Sequence, residues 1–481
     1  MGSIRIAVRY MVFVTVLSMA AGPGFLAFAE EIQGVAAGSP APGTSLEELD
    51  QKVRVLERKW EIEQETAAAK AKESPFVTAG GKDGFSIRSA DGSHQLKLNG
   101  FVQGDGRFFL DDEQKPAMNT FLIRRAFLNF EGTVHRDYVF RIQSDFGGGK
   151  TTLQDAYLDA RFASAFQLLV GKTKVPFLLE RLQSATDRRF VELAFPNSLS
   201  PNRDIGAFVH GDLGKGVLSY AAGVFNGLPD GDTSDGDTND DKDAVARIFA
   251  HPFKNTGIEP LGGFGFGIAA TYGNQEGSIS SSKKTFTSNL PSYKTSGQQT
   301  FFSYLDSTGE PSKDFSADNN VRADGIRTRF SPQAYYYWGP FGLLGEYVRT
   351  SQEVRKKNDV ARLTNSAWQA AAYYVVTGEK NSFRHIAPSK PFNLSNGQFG
   401  ALELVARYSE LRVDGDAFPK FADPAKSASR AKAWAAGVNW YLNPKVRIQA
   451  DYEQTRFTGG ASGNQDREQE KVILSRIEVA Y

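Results

Sequence analysis

From His94 to Tyr481 the chain alternates apolar and polar residues with a period of two, in segments of about ten or more residues, the length a tilted strand needs to cross a bilayer. Phe264, Phe266, Ile268, Ala270 and Tyr272 alternate with Gly265, Gly267, Ala269 and Thr271, giving one apolar face and one face of small residues. Val446, Ile448, Ala450 and Tyr452 alternate with Lys445, Arg447, Gln449, Asp451 and Glu453. Ahead of this region the period is three and four: Leu46, Leu49, Val53, Leu56 and Trp60 form an a/d seam flanked by Glu, Lys and Arg. That spacing predicts a helix over 45–75, opened by Ser45 with Glu48 three residues on as a capping box. Such a short stripe buries little surface alone, so it is expected either to form a coiled coil that borrows stability from an oligomer or to lie as a lone amphipathic helix on another surface.

Period-two alternation suits a soluble sandwich as well as a membrane barrel. Three features favour the barrel. Charges recur on the polar faces of successive segments: Arg141 and Asp145, Asp155 with Asp159 and Arg161, Arg327 with Arg329, Arg407, and Arg476 with Glu478, as a water-filled interior would allow. Connections alternate in length, with tight turns at Val134–Arg136, Leu213–Lys215, Trp338–Pro340 and Leu442–Lys445 and long ones at Asn226–Lys242 and Gly273–Asp324. Both long segments are rich in Gly, Ser or Asp and are expected to stay out of any core. Gly378–Gly397 departs from this parity, being long where a short turn is due. The chain ends on an apolar strand face, Ile473, Ile477, Val479 and the terminal Tyr481. The expectation is an all-β transmembrane antiparallel β-barrel of about sixteen strands over 94–481.

Composition narrows the partners. A net charge of +1 gives no basic excess for nucleic acid, and the absence of Cys excludes thiol catalysis, disulfides, Cys-ligated metal and a lipidated N-terminal cysteine. Residues 1–29 carry Arg5 and Arg9, an apolar run from Tyr10 to Ala21 and a small-residue site at Ala27-Phe28-Ala29, the pattern of a secretory signal peptide, with 30–44 as a linker. No later stretch is long and apolar enough for a spanning helix. His94, His135, His210, His251 and His385 are scattered, and no metal or cofactor is expected. Asp235, Asp237 and Asn239 have calcium-loop spacing, but Asp240 and Ala246 stand where Gly and Glu are required. Lys150-Thr151 after Gly147-Gly148-Gly149 is expected to be a turn.

Several segments are specific enough to compare with known proteins: Phe121–Gly132 (FLIRRAFLNFEG), Arg136-Asp137-Tyr138, Val170–Arg181 (VGKTKVPFLLER), Arg203-Asp204-Ile205-Gly206 and Gly437–Asn443 (GVNWYLN). Over about Leu96–Tyr481 the chain resembles the phosphate-selective porins of the porin O and porin P type. The resemblance implies a trimeric 16-stranded barrel in the outer membrane of a Gram-negative bacterium, with the helix in the periplasm. It also implies a third loop, here about 175–203, folded inward to constrict the pore, and passage of small anions such as phosphate. By the same resemblance Arg124, Arg125, Asp155, Arg181 and Ser184 match the family's binding site. Phe101, Leu193 and Ala185 stand where the phosphate-selective members have two arginines and a serine, which sets phosphate selectivity apart from the porin assignment.

Physically, guanidinium groups suit tetrahedral oxyanions because they offer forked N–H donors. Over Lys172–Arg203 six basic residues (Lys172, Lys174, Arg181, Arg188, Arg189, Arg203) face three acidic ones (Glu180, Asp187, Glu192), a net of +3. The inward charges elsewhere nearly balance, so anion preference is expected from the constriction, with Lys172, Lys174 and Arg203 beside the matched positions. Arg124 and Arg125 cannot both face inward from a regular strand, so a bulge or loop entry is required there. The alternatives are a general diffusion porin, a barrel tethered to the cell wall by its helix, and an outer-membrane enzyme, for which no nucleophile–base constellation stands out.

Overall fold

The computed structural model describes residues 46–73, 75–79, 84–111, 117–233, 235–237, 240–280, 285–306 and 319–481. The expected signal peptide, the linker and the capping residue Ser45 lie outside these residues. The chain divides into two units, 1–74 and 75–481.

In the first unit a helix, α1, spans Leu46–Glu73. Glu47 and Glu48 complement the helix dipole in its first turn, and the pairs Asp50–Arg54 (2.9 Å) and Arg58–Glu61 (2.8 Å) brace its surface. Its apolar seam is uncovered: Leu49, Val53, Leu56 and Trp60 are all exposed. Among the described residues no helix is long and apolar enough to cross a membrane.

In the second unit sixteen antiparallel strands close into a barrel. They are β1 (Gln95–Leu110), β2 (Thr120–Val134), β3 (Tyr138–Asp145), β4 (Thr152–Ala163), β5 (Phe166–Lys174), β6 (Arg203–Leu213), β7 (Leu218–Phe225) and β8 (Asp243–Ala250). The second half comprises β9 (Phe264–Glu276), β10 (Arg322–Trp338), β11 (Phe341–Lys356), β12 (Asp359–Val375), β13 (Ala401–Arg412), β14 (Ala428–Asn443), β15 (Val446–Ala461) and β16 (Glu470–Ala480). Pairing of β16 with β1 closes the ring, so no spanning strand keeps an open edge in lipid. Tyr481 completes the seam by exchanging backbone hydrogen bonds with Gly100. Gly100 has to be glycine, because a Cβ there would lie 2.1 Å from the Phe127 carbonyl oxygen and 2.6 Å from the Tyr481 hydroxyl.

Alternation sorts the side chains as the sequence implies. Phe266, Ile268 and Tyr272 on β9 and Ile473, Ile477 and Val479 on β16 face outward and are exposed, while Arg447, Gln449, Asp451 and Glu453 on β15 face inward and are buried. The tight turns at 135–137, 214–217, 339–340 and 444–445 share the end that carries the C-terminus, the periplasmic end of an outer-membrane barrel.

The interior is divided. The loop between β5 and β6 enters the barrel and carries a helical turn, Leu179–Leu182, and a 3₁₀ turn, Phe195–Leu199. Its Phe177, Leu178, Phe195 and Leu199 form one buried apolar cluster with Tyr293, Phe301 and Phe302 and with the inward Val348, Leu363, Leu411 and Phe457 of β11, β12, β13 and β15. The connection from β9 to β10 therefore does contribute to a core, contrary to expectation. Its polar residues mask a short aromatic stretch that folds back into the barrel mouth.

Many inward charges of β10–β15 also do something other than face water: they hold the inserted loop. Arg407 donates to the Glu192 carbonyl (3.0 Å) and to Glu453 (2.9 Å) and lies 3.4 Å from Glu180. Glu180 in turn accepts from Asn197 (2.6 Å), Gln369 (3.0 Å) and the Ala194 amide (3.1 Å). Asp451 accepts from the Val191 amide, and Gln333 donates to the Phe177 carbonyl. The long 376–400 connection has the same task from the periplasmic end. Arg189 donates to the carbonyls of Ser382 (2.8 Å) and Arg384 (2.5 Å), and Gln183 to that of Phe383 (2.8 Å). Its length, anomalous for a turn, is what lets it reach the loop.

Replacing Arg407 by Met leaves Glu180 and Glu453 buried without their shared cation. We expect a loss of about 3–5 kcal/mol in the urea-induced unfolding of the barrel in lipid, and single channels with markedly greater open-state noise. Wild-type noise in the variant would show that the loop is held without this residue.

Candidate anion pathway

On the side away from the apolar cluster, β1–β7 and the inserted loop enclose a cavity of about 640 Å³. Arg124, Arg125, Arg141, Lys174, Arg181, Arg188 and Arg203 line it against two carboxylates, Asp145 and Asp155, a net of +5 with His210 neutral. Seven of the eight residues singled out from the sequence are brought together here: Arg124, Arg125, Asp155, Lys174, Arg181, Ser184 and Arg203. Lys172 is not among them. It is buried behind the lining, with its ammonium on the carbonyl of Thr233, which itself lines the cavity (2.6 Å), and on Asp235 (2.5 Å), both in the β7–β8 connection. Asp235, considered for calcium, is thereby engaged by a cation of the chain itself.

A bulge delivers the two adjacent arginines. Along β2 the register against β1 passes from Gly104 opposite Ile123 to Gln103 opposite Arg125, which leaves Arg124 without a counterpart. The facing pattern inverts at that point: Phe121 and Ile123 point outward, whereas Arg125 and Phe127, two and four residues later, are buried inward. The bulge is clamped from β3. Asp145 accepts from the Ala126 amide (3.0 Å) and the Gly147 amide (2.9 Å), and the Gly148 amide donates to the Ile123 carbonyl (2.9 Å). Gly147 lies directly on it, since a Cβ there would stand 2.8 Å from the Arg125 Cα and 2.9 Å from the Arg124 carbonyl oxygen.

The seven cations are not equivalent. Arg124 pairs with Glu192 (2.6 Å), Arg203 with Asp155 (2.7 Å), and Arg141 with Glu131. Arg125, Lys174, Arg181 and Arg188 have no carboxylate at ion-pair distance among the described residues. Arg125 donates to Gln103 (3.0 Å), Lys174 to the Gln183 carbonyl (2.5 Å) and Arg181 to the Asn197 carbonyl (2.6 Å). The Nε atoms of Arg181 and Arg188 are buried without a partner. Burial disfavours the charged forms of both loop arginines, with repulsion from Arg203 added, and pushes Arg188 down to about 9 and Arg181 to about 10. Glu180 opposes both shifts from beyond ion-pair distance, so neither arginine has a carboxylate partner in direct contact.

Arg188 is the site residue that sequence reasoning left aside. No local pattern distinguishes it from Arg189, yet their fates differ. Arg189 is tied to Glu403 (3.0 Å) and to the 376–400 connection, while Arg188 faces the cavity with its carbonyl held by Arg447 (2.7 Å). The positions that depart from the resembled pattern, Phe101, Ala185 and Leu193, all line the same cavity. Phe101, Arg141, Gln143 and Ser184 also line a second cavity of about 1000 Å³ that reaches Asn443, Lys445 and Tyr481 at the periplasmic end. These four residues form the neck between the two chambers.

The model of a family described as phosphate-selective porin O and P matches residues 95–481. Porin O of Pseudomonas aeruginosa is 24% identical over 414 residues, covering 80% of this chain and 88% of that protein. Among solved structures, the outer membrane channel DcaP of Acinetobacter baumannii matches with a TM-score of 0.50 at 11% identity, covering 81% of this chain and 98% of its own. An anion-selective porin from Comamonas acidovorans matches with a TM-score of 0.49 at 10% identity, covering 81% and 100%. With the family model spanning the whole barrel, the chain belongs to the phosphate-selective porin O and P family and is a channel of the Gram-negative outer membrane, not an enzyme.

Proposed function

We propose that this porin passes small anions of the phosphate class through the arginine-lined cavity, with Arg125, Arg181, Arg188 and Lys174 as the groups that bind the solute. One observation carries this: four cations share a cavity without carboxylate partners of their own, so an incoming oxyanion supplies the missing charge and accepts the idle N–H donors. Arg124 and Arg203, already paired, shape the wall and add long-range attraction. Ser184 at the neck can donate its hydroxyl, and Asp155 keeps Arg203 in place and tempers the field so that the anion can leave. The family and its relative Porin O support the same solute class.

We further propose a homotrimer in which α1 of each chain joins a short periplasmic coiled coil, available for contact with the cell wall, while the outward apolar faces meet outer-membrane lipid. The uncovered seam of α1 supports this, as an isolated helix with exposed Leu49, Leu56 and Trp60 gains stability only from partners.

In planar bilayers the wild-type channel should show an anion-directed reversal potential in a chloride gradient and blockade by added phosphate. A cation-selective current would overturn the proposal. Arg125→Ala and Arg188→Ala should each lower the anion-over-cation permeability ratio by roughly an order of magnitude, since a unit charge about 5 Å away in a water-like medium favours the anion and disfavours the cation by about 0.8 kcal/mol each. Gly147→Val removes no charge but displaces the bulge, and is expected to weaken phosphate blockade while leaving conductance open; unchanged blockade would mean that the bulge does not set the position of Arg125. Because the chain lacks cysteine, Leu49→Cys offers a clean test of the coiled coil: oxidation should give a disulfide-linked pair within an unboiled trimer, and only monomers would exclude it.

A further inference from the structure

The neck between the two chambers is not wholly polar. Phe101 is buried at 6% exposure, packs its ring at 4.6 Å centroid distance on Phe127, and with Ala185 of the inserted loop forms an apolar cluster of its own. This cluster is separate from the dry core on the opposite side of the lumen, and all three residues line the arginine cavity, with Leu182 and Leu193 beside them. Phe101 also lines the periplasmic chamber, so a solute that moves between the two passes its ring. A bare hydrated oxyanion gains nothing from such a surface. An apolar wall facing four uncompensated cations suits a solute with both characters.

We infer that the cavity prefers organic oxyanions, in which a phosphate-like head bears a flat apolar substituent: the head sits on Arg125, Arg181 and Arg188 while the substituent lies on Phe101 and Phe127. Offset or edge-on contact with the tilted pair lets an aromatic group displace water from the wall without displacing the donors around the head. This places selection at the surface shared by the two chambers, where Phe101 acts as a specificity-determining residue. This inference rests on the anion-channel function proposed above and names its solute class.

The test compares blockade of wild-type channels by inorganic phosphate, methyl phosphate and phenyl phosphate at equal ionic strength. A one-sided aryl contact corresponds to about a tenfold gain in affinity, so phenyl phosphate should block at a concentration about tenfold lower than inorganic phosphate, with methyl phosphate in between. Phe101→Leu should keep part of that advantage and Phe101→Arg should abolish it while strengthening blockade by inorganic phosphate. Equal blockade of the wild type by all three phosphates in an anion-selective channel would overturn the inference and leave the porin proposal standing. A wild-type current without anion preference would overturn both. The wild-type series decides the matter even if the Phe101→Arg protein fails to assemble, and Phe101→Leu retains enough apolar volume to pack on Phe127.

Discussion

A loop that enters a barrel brings its peptide groups into a space where water cannot reach most of them, and each must find a partner there. The β5–β6 loop meets this constraint through the barrel wall. Arg407, Gln449, Asn439, Asp451 and Gln333 bond its backbone directly, and Glu180 ties its two turns together while resting against Arg407. The position of every cation in the pathway descends from this arrangement. Arg188 faces the cavity because Arg447 and Gln449 fix its carbonyl, and Arg181 does so because the turn that carries it is anchored at Glu180. The apolar residues of the loop then pack along β10–β15, and the arginine-lined cavity lies on the opposite, β1–β7 side.

The barrel was legible in the sequence because its signal is periodic and repeated. Strand number, the closing aromatic strand and the inward loop all follow from alternation, turn placement and resemblance, and the long 376–400 connection stood out by breaking parity. The adjacent Arg124 and Arg125 demanded a bulge on geometric grounds alone, and the register shift opposite Gln103 and Gly104 supplies it. What the sequence could not show was partnership. Lys172 and Lys174 are two residues apart on one strand, yet one is tied to Asp235 and the other lines the cavity. Arg188 and Arg189 are neighbours, yet Glu403, distant by 214 positions, holds only the second. The aromatic core within 289–305 was hidden for the same reason: Tyr293, Phe301 and Phe302 lie in a polar segment, and only the loop opposite makes them a core.

Partnership is also what turns a charge inventory into selectivity. The interior of this barrel holds many arginines, and most face a carboxylate: Arg476 with Asp105 (2.7 Å), Arg447 with Glu478 (3.1 Å), Arg327 and Arg329 with Asp243 (2.7 and 2.9 Å). Such pairs present little net field to a solute, and their contribution is to hold wall and loop in register. Counting inward charges by parity therefore says little about which ion passes. The relevant quantity is the charge left over after the wall has satisfied itself, and in this chain that remainder is concentrated at Arg125, Lys174, Arg181 and Arg188. Since these cations share their cavity with Phe101 and Phe127, while the neighbouring Arg124, Arg141 and Arg203 are each paired with a carboxylate, the proposed attraction of an anion and the proposed sorting of anions by their substituents fall at the same step of passage. Charge compensation elsewhere in the barrel is what makes that division of labour possible.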